Sequence, residues 1–167
     1  MTKPIVAIDA GTTTIRALVV DADLDVLGRA FVRARLDHPA PGRVEQNVDH
    51  LWNATLRVID DALASAGIDR ADVGALGIAA QRSNVIVWDR TTGAPLAPLV
   101  SWQDMRGAVR AAELIAQGYL VSHQTAAVKL EAVLDGLERG RERFNARSIS
   151  WGNVDTYLAW RLSGGAI

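Results

Sequence analysis

Short apolar runs separated by polar turns fill the chain as far as Arg35. Pro4 to Ile8 is apolar and ends in Asp9, Gly11 and three threonines follow, and Ile15 to Asp21 is apolar again. Asp23 to Asp25 then makes a polar tip before Val26 to Arg35. This pattern predicts three successive antiparallel hairpin strands. The first run is almost wholly apolar, as expected of a strand covered on both faces. The period changes at Asn47. Leu51, Ala54, Leu56, Val58, Ile59, Leu63 and Ala66 recur mostly at helical spacing, and Gly67 stands where a helix closes. Asn47 or Asp49 supplies the N-cap.

Beyond that helix, Val73 to Ala80 reads as a buried strand and Val85 to Trp88 as another, with Asp89-Arg90-Thr91-Thr92-Gly93 as a turn. Helices are predicted over Asp104 to Ala116, Thr125 to Leu137 and Val154 to Leu162, with a short strand over Arg147 to Ser150. Hairpin strands followed by alternating helices and strands imply an α/β domain, a mixed sheet with helices on both faces. The chain closes on Ser163-Gly164-Gly165-Ala166-Ile167, a composition typical of an interdomain connection. No repeat or low-complexity stretch interrupts it.

Composition narrows the functional classes. The 167 residues suit one domain (1–167) with its own core. Eighteen basic residues against 19 acidic give a net charge of −1, so no electrostatic footprint for nucleic acid or an anionic membrane exists. There is no cysteine, which excludes disulfides, thiolate metal sites and cysteine nucleophiles. No apolar run has the length of a membrane span or a signal peptide, and a cytoplasmic location is expected.

The segment Asp9-Ala10-Gly11-Thr12-Thr13-Thr14-Ile15-Arg16 carries the most chemistry. A tight turn there can aim backbone N–H groups and threonine hydroxyls at an anion, and Arg16 can grip phosphate oxygens in two places. Asp9, at a strand end, can hold Mg²⁺ through water. The competing reading is an ordinary hairpin turn in which Gly11 relieves strain and the threonines satisfy the backbone. The spacing is not that of a Walker A loop.

Five further segments accompany this turn: Gly42-Arg43-Val44-Glu45-Gln46, Gln81-Arg82-Ser83, Val87-Trp88-Asp89, Ser101-Trp102-Gln103-Asp104-Met105-Arg106 and Gly152-Asn153-Val154-Asp155-Thr156-Tyr157-Leu158. In order and spacing they resemble the FGGY carbohydrate kinases, the glycerol kinases most closely, over the first of that family's two domains. The resemblance implies an actin-like, RNase H-like fold, and ATP and Mg²⁺ as cofactors. A sugar or polyol substrate would then meet the nucleotide between two domains. Residues matching Thr13 and Arg16 lie near the nucleotide phosphates in that family, and the one matching Asp9 lies near the metal. Those matching Arg82 and Trp102 contact the polyol, with Gln81 and Ser83 beside them. A guanidinium donates to vicinal hydroxyls, and an indole gives a flat apolar wall. Asp104 either lines the pocket or caps the helix that follows.

Three departures qualify the resemblance. Ser83 stands where glycerol kinases carry a glutamate, which leaves room for a different substrate. The stretch between Gly118 and Lys129 is shorter, and Gln124 falls near a substrate-contacting tyrosine of the family. Arg43 replaces a tryptophan. The family's general base and its adenosine-binding segments belong to later sequence with no counterpart here. His38, His50, His123 and Asp155 form no nucleophile–base pair. The chain alone is therefore expected to be catalytically silent, to need a C-terminal kinase domain, and to self-associate through apolar surface meant for that domain. A non-catalytic sugar-binding or regulatory module with the same fold is the alternative.

Overall fold

The computed structural model describes residues 2–166. In chain order its strands are β1 (Ile5–Ala10), β2 (Thr14–Val20), β3 (Val26–Arg33), β4 (Glu45–Gln46), β5 (Ala75–Ala80), β6 (Ile86–Asp89), β7 (Leu99–Val100) and β8 (Ile149–Gly152). The helices are α1 (Val48–Ala66), α2 (Ala108–Ala116), α3 (Ala126–Gly136), α4 (Gly140–Asn145) and α5 (Val154–Leu162), with a 3₁₀ turn at Arg70–Asp72. The chain divides into two compact units, Met1–Arg35 with Asp49–Gln81, and Leu36–Val48 with Arg82–Ile167. No helix among the described residues is long and apolar enough to cross a membrane.

In the first unit the sheet order is β3-β2-β1-β5, with both hairpin pairings antiparallel and β1 parallel to β5. The predicted polar tip is an Asx-type turn. The Asp21 carboxylate accepts from the Asp23 and Asp25 N–H groups at 3.0 and 2.9 Å, and Leu24 sits at φ 67. Alternation sends Val6, Ile8, Ala10, Ile15, Ala17 and Val19 to one face, where all are buried. Leu51, Val58, Ile59, Ala62 and Leu63 of α1 are buried too. Each such aliphatic side chain contributes about 1.5–3 kcal/mol when fully buried. Gly67, at φ 66, closes α1, and the Ile68 N–H returns to the Leu63 carbonyl.

Two expectations change here. Within this unit helix covers one face of the sheet, so β1 is buried on alternate positions only, and Ile5 is 38% exposed. Phe31, on the same open face, is 77% exposed. The run from Val73 is a strand, but β5 lies at the edge of its sheet and is exposed or half-exposed throughout. A continuous apolar run reports what a strand is suited to face, not what faces it.

The second unit joins β4 to β7 and β6 to β8, both antiparallel, with a Val85–Val100 bridge linking the two ladders. Val85, Val87, Val100, Leu130, Val133, Leu134 and Ile149 form its core. Trp88 lies edge-on to Tyr157 at 5.2 Å and tilted to Trp160 at 6.0 Å. The predicted turn after β6 is present: the Asp89 carboxylate accepts from the Thr91 and Thr92 N–H groups at 3.0 Å each. Helix α5 has its predicted bounds. Helix α2 starts four residues later than expected, at Ala108, because the side chain of Asp104 organises a turn there instead. Helix α4, entered through Arg139 at φ 52, has no apolar periodicity and was not anticipated.

Candidate functional site

The first unit places the threonine turn at the carboxyl end of β1, level with the carboxyl end of β5, since Ala10 pairs with Ala80. In open α/β sheets this is the end at which ligands bind. The turn is tight. The Gly11 N–H donates to the Thr14 carbonyl at 2.9 Å, and a Cβ on Gly11 would lie 3.0 Å from that same oxygen. Closeness, not a left-handed backbone, therefore favours the glycine, and its N–H is spent within the hairpin. The Thr13 carbonyl accepts from the Ala34 N–H at 3.0 Å. The Thr12 hydroxyl donates to Gln81 Oε1 at 3.3 Å, and the Gln81 N–H donates to the Ala10 carbonyl at 3.0 Å. Gln81 is thus drawn to the threonine turn.

Asp9 and Arg16 face one another across β1 and β2, 3.1 Å apart and each about half exposed. An exposed pair of this kind contributes little to stability, about 0–1 kcal/mol, which leaves both side chains available to a ligand. A single accessible carboxylate suits Mg²⁺, which keeps most of its water and takes further oxygens from phosphates. No cluster of three or more histidine or acidic side chains capable of holding a metal occurs among the described residues.

The second unit presents the other candidates on two loops. Arg82 is exposed, and its guanidinium has no hydrogen-bond or ion-pair partner among the described residues. Ser83 adopts φ 58, a left-handed conformation costing a non-glycine residue about 1–2 kcal/mol. Neighbouring bonds hold it there. Asn84 is buried, and its Oδ1 accepts from the Val154 N–H at 2.9 Å, capping α5 from a distance. The buried ammonium of Lys129, on α3, donates to the Ser83 carbonyl and, at 3.2 Å, to the Ser101 carbonyl. Ser101 is also fixed by its N–H, which donates to the Val44 carbonyl at 3.0 Å, and half-buried Trp102 follows it.

Asp104 neither caps α2 nor faces outward. It is fully buried, and its Oδ2 accepts from the Val44 N–H and from Arg106 Nη2 at 2.8 Å each. Its Oδ1 accepts from the Arg106 N–H and Nε, again at 2.8 Å. Arg106 in turn reaches Glu45 at 2.5 Å. Burial opposes ionisation of Asp104, but the bonds from the Arg106 side chain, the Arg106 N–H and the Val44 N–H outweigh it and hold the carboxyl below its ordinary range. Gln124 is exposed in a turn closed by Ser122 and Thr125.

Lys129 and Asn84 are what the sequence reading passed over. For Lys129 a signal existed: it lies within the apolar stripe Ala126, Leu130, Val133, Leu134, Leu137, where a lysine needs a buried acceptor. For Asn84 there was none, since its partner lies far along the chain.

A mixed sheet led by antiparallel hairpins, with a threonine turn at its carboxyl end, is the actin-like ATPase fold as sugar kinases carry it. The chain superposes on Plasmodium falciparum glycerol kinase with ADP at a TM-score of 0.90, covering 98% of this chain and 35% of that one at 20% identity. It superposes on xylulose kinase from Rhodospirillum rubrum at 0.77 and 22% identity, covering 95% and 33%. Residues 4–167 match the N-terminal domain of the FGGY family of carbohydrate kinases, and the chain belongs to that family. Similar curated proteins include the glycerol kinase of Bordetella parapertussis, 37% identical over 98% of this chain and 34% of its own length. Glycerol kinase from Methylobacterium nodulans is 38% identical over 100% and 35%. The chain thus spans about a third of the length of the curated relatives it matches.

Proposed function

We propose that this chain is the sugar-binding part of an ATP-dependent carbohydrate kinase, which transfers the γ-phosphate of Mg·ATP to a hydroxyl of a sugar or polyol. The observation that carries the proposal is the joining of the Arg82 and Trp102 loops through Lys129. One side chain thereby ties together the loops that carry a guanidinium with no partner among the described residues and a half-buried indole. Gln81, Arg82, Ser83 and Trp102 take the polyol. Thr12, Thr13, Thr14 and Arg16 take nucleotide phosphates, with Gly11 shaping that turn, and Asp9 takes Mg²⁺ through water. Held there, a metal ion would neutralise charge on the transferring phosphoryl group. Asp104 supports the polyol loops from beneath. The general base and the adenosine contacts come from a further domain, so the chain alone binds sugar without turning it over. With Ser83 in place of a glutamate, glycerol is not the preferred substrate.

Calorimetric titration with glycerol, pentitols, pentoses and ketoses, with and without Mg·ATP, tests this. Saturable binding of at least one ligand is expected, weakened about tenfold or more in Arg82→Ala, since a hydrogen bond to a charged group contributes about 1.5–3 kcal/mol. Binding that is unaffected by Arg82→Ala would remove the assignment.

The exposed edge of β5 supports self-association of the chain. Ala75-Leu76-Gly77-Ile78-Ala79-Ala80 carries no charge and no proline, and Leu76 is 41% exposed. Sedimentation is expected to show concentration-dependent association that Leu76→Lys suppresses. A monomer at every concentration would count against it.

A further inference from the structure

We infer that Lys129 is a positioning residue of the sugar site, its ammonium fixing the Ser83 and Ser101 carbonyls and, through them, the placement of Arg82 and Trp102. The inference rests on the assignment of those two side chains to the sugar.

The geometry makes the case. Lys129 is fully buried on α3, between Val128 and Leu130, and it donates to the carbonyl of Ser83 and, at 3.2 Å, to that of Ser101. α3 comes close enough because residue 107 is glycine: a Cβ there would lie 2.6 Å from Val128 Cγ2. The left-handed conformation at Ser83 immediately precedes the carbonyl that Lys129 holds. Neither loop belongs to a long ladder, as β7 has two residues and Arg82 and Ser83 lie outside any strand. Two bonds from one rigid helix therefore define the spacing between the loops.

A lysine is a costly way to fill this position if packing alone is needed. Burial disfavours the ammonium and pushes its pKa down from 10.5 to about 8. The charged groups facing it are Asp104, which favours the ammonium, and Arg106, which opposes it. A methionine of similar volume would fill the space without that cost. The two roles separate with pH. The unfolded chain keeps its proton up to 10.5, so between about pH 8 and 10.5 it binds more protons than the folded chain, and this group's contribution to stability rises with pH. Over the same range the neutral amine is a weaker donor, and its hold on the two carbonyls relaxes. Stability contributed by Lys129 and sugar affinity are expected to move in opposite directions.

The test uses the whole chain and Lys129→Met, with Lys129→Gln retaining one donor. Thermal unfolding establishes that each variant is folded. Glycerol and xylulose are titrated separately at pH 6.5 to 9.5, and the Trp102 indole and Arg82 Nε signals are followed by NMR without ligand. The expected result is a folded Lys129→Met chain binding at least tenfold more weakly, an intermediate Lys129→Gln, and loss of the affinity change near pH 8. Shifted Trp102 and Arg82 signals should accompany these. If wild type binds and Arg82→Ala abolishes binding while Lys129→Met leaves it intact, the inference is overturned and the sugar assignment stands. If wild type binds neither probe, the NMR signals decide: displacement in Lys129→Met supports the hold of Lys129 on the two loops, and unmoved signals overturn it. If Lys129→Met does not fold, Lys129→Gln and the wild-type pH dependence of the two signals decide in its place. A shift near pH 8 supports the role, and its absence overturns it.

Discussion

Asp104→Ala is expected to destabilise the second unit by about 3–5 kcal/mol, the cost of leaving a buried ion pair's partner uncompensated. The carboxylate takes four bonds at 2.8 Å, from Val44, from the Arg106 backbone and twice from the Arg106 guanidinium. Its removal leaves two N–H groups without their acceptor and a guanidinium, whose side chain is 9% exposed, with Glu45 alone. Against a typical domain stability of about 5–15 kcal/mol, that is a large share of the total. Urea unfolding reads it directly, and a shift worth less than about 1 kcal/mol would show that the network is dispensable. The asymmetry of buried pairs supplies a control: replacing both partners, as in Asp104→Leu with Arg106→Met, should restore most of the loss. Acid should act on the same group. Its folded pKa is depressed, so its contribution is fully present above the unfolded value of about 3.9 and is lost as pH falls through the folded one. Asp104→Asn should remove that part of the acid sensitivity.

Gly28→Ala is expected to be the most damaging single methyl group in the first unit. A Cβ at residue 28 would lie 2.4 Å from the Ala62 carbonyl oxygen, 2.7 Å from the Ala66 nitrogen and 2.8 Å from the Ala66 Cβ. Two of these atoms are helix backbone, so relief requires α1 to move away from β3, not a rotamer change. Overpacking typically costs about 1–3 kcal/mol, and the upper end of that range is expected in a thermal or urea melt. Gly77→Ala is the matched control, because nothing lies within 4 Å of the added carbon on β5. Equal effects at the two positions would mean that α1 does not seat on β3 as described.

The elements that sequence reading located well are those whose own pattern decides them. The β1–β3 hairpins, α1 with Gly67 behind it, and α5 each carry a period and a stop signal. Apart from α4, which has no apolar period of its own, the failures share another cause, a partner distant in sequence. The burial expected of Val73–Ala80 depended on what covers β5. The late start of α2 follows from Asp104 reaching back to Val44, and the short β4 and β7 exist only by pairing with each other. The site divides in the same way. The threonine turn was legible from its residues, whereas Arg82 and Trp102 stood out only through the family resemblance. Asn84 became visible only once the Val154 N–H was placed in space, whereas Lys129 had a signal in the apolar stripe around it.

The interleaving of the two units bears on the order in which a growing chain can acquire structure. The strands β1, β2, β3 and β5 and the helix α1 are all available once Gln81 has emerged from the ribosome, and they can close their core at that moment. Leu36–Val48, already synthesised, cannot do the same, because β4 must wait for β7 and the Val44 N–H for Asp104. Contacts of such long sequence separation form late. This early-made segment is therefore among the last to settle, and it stays open to proteases and chaperones while its neighbours on either side are already folded.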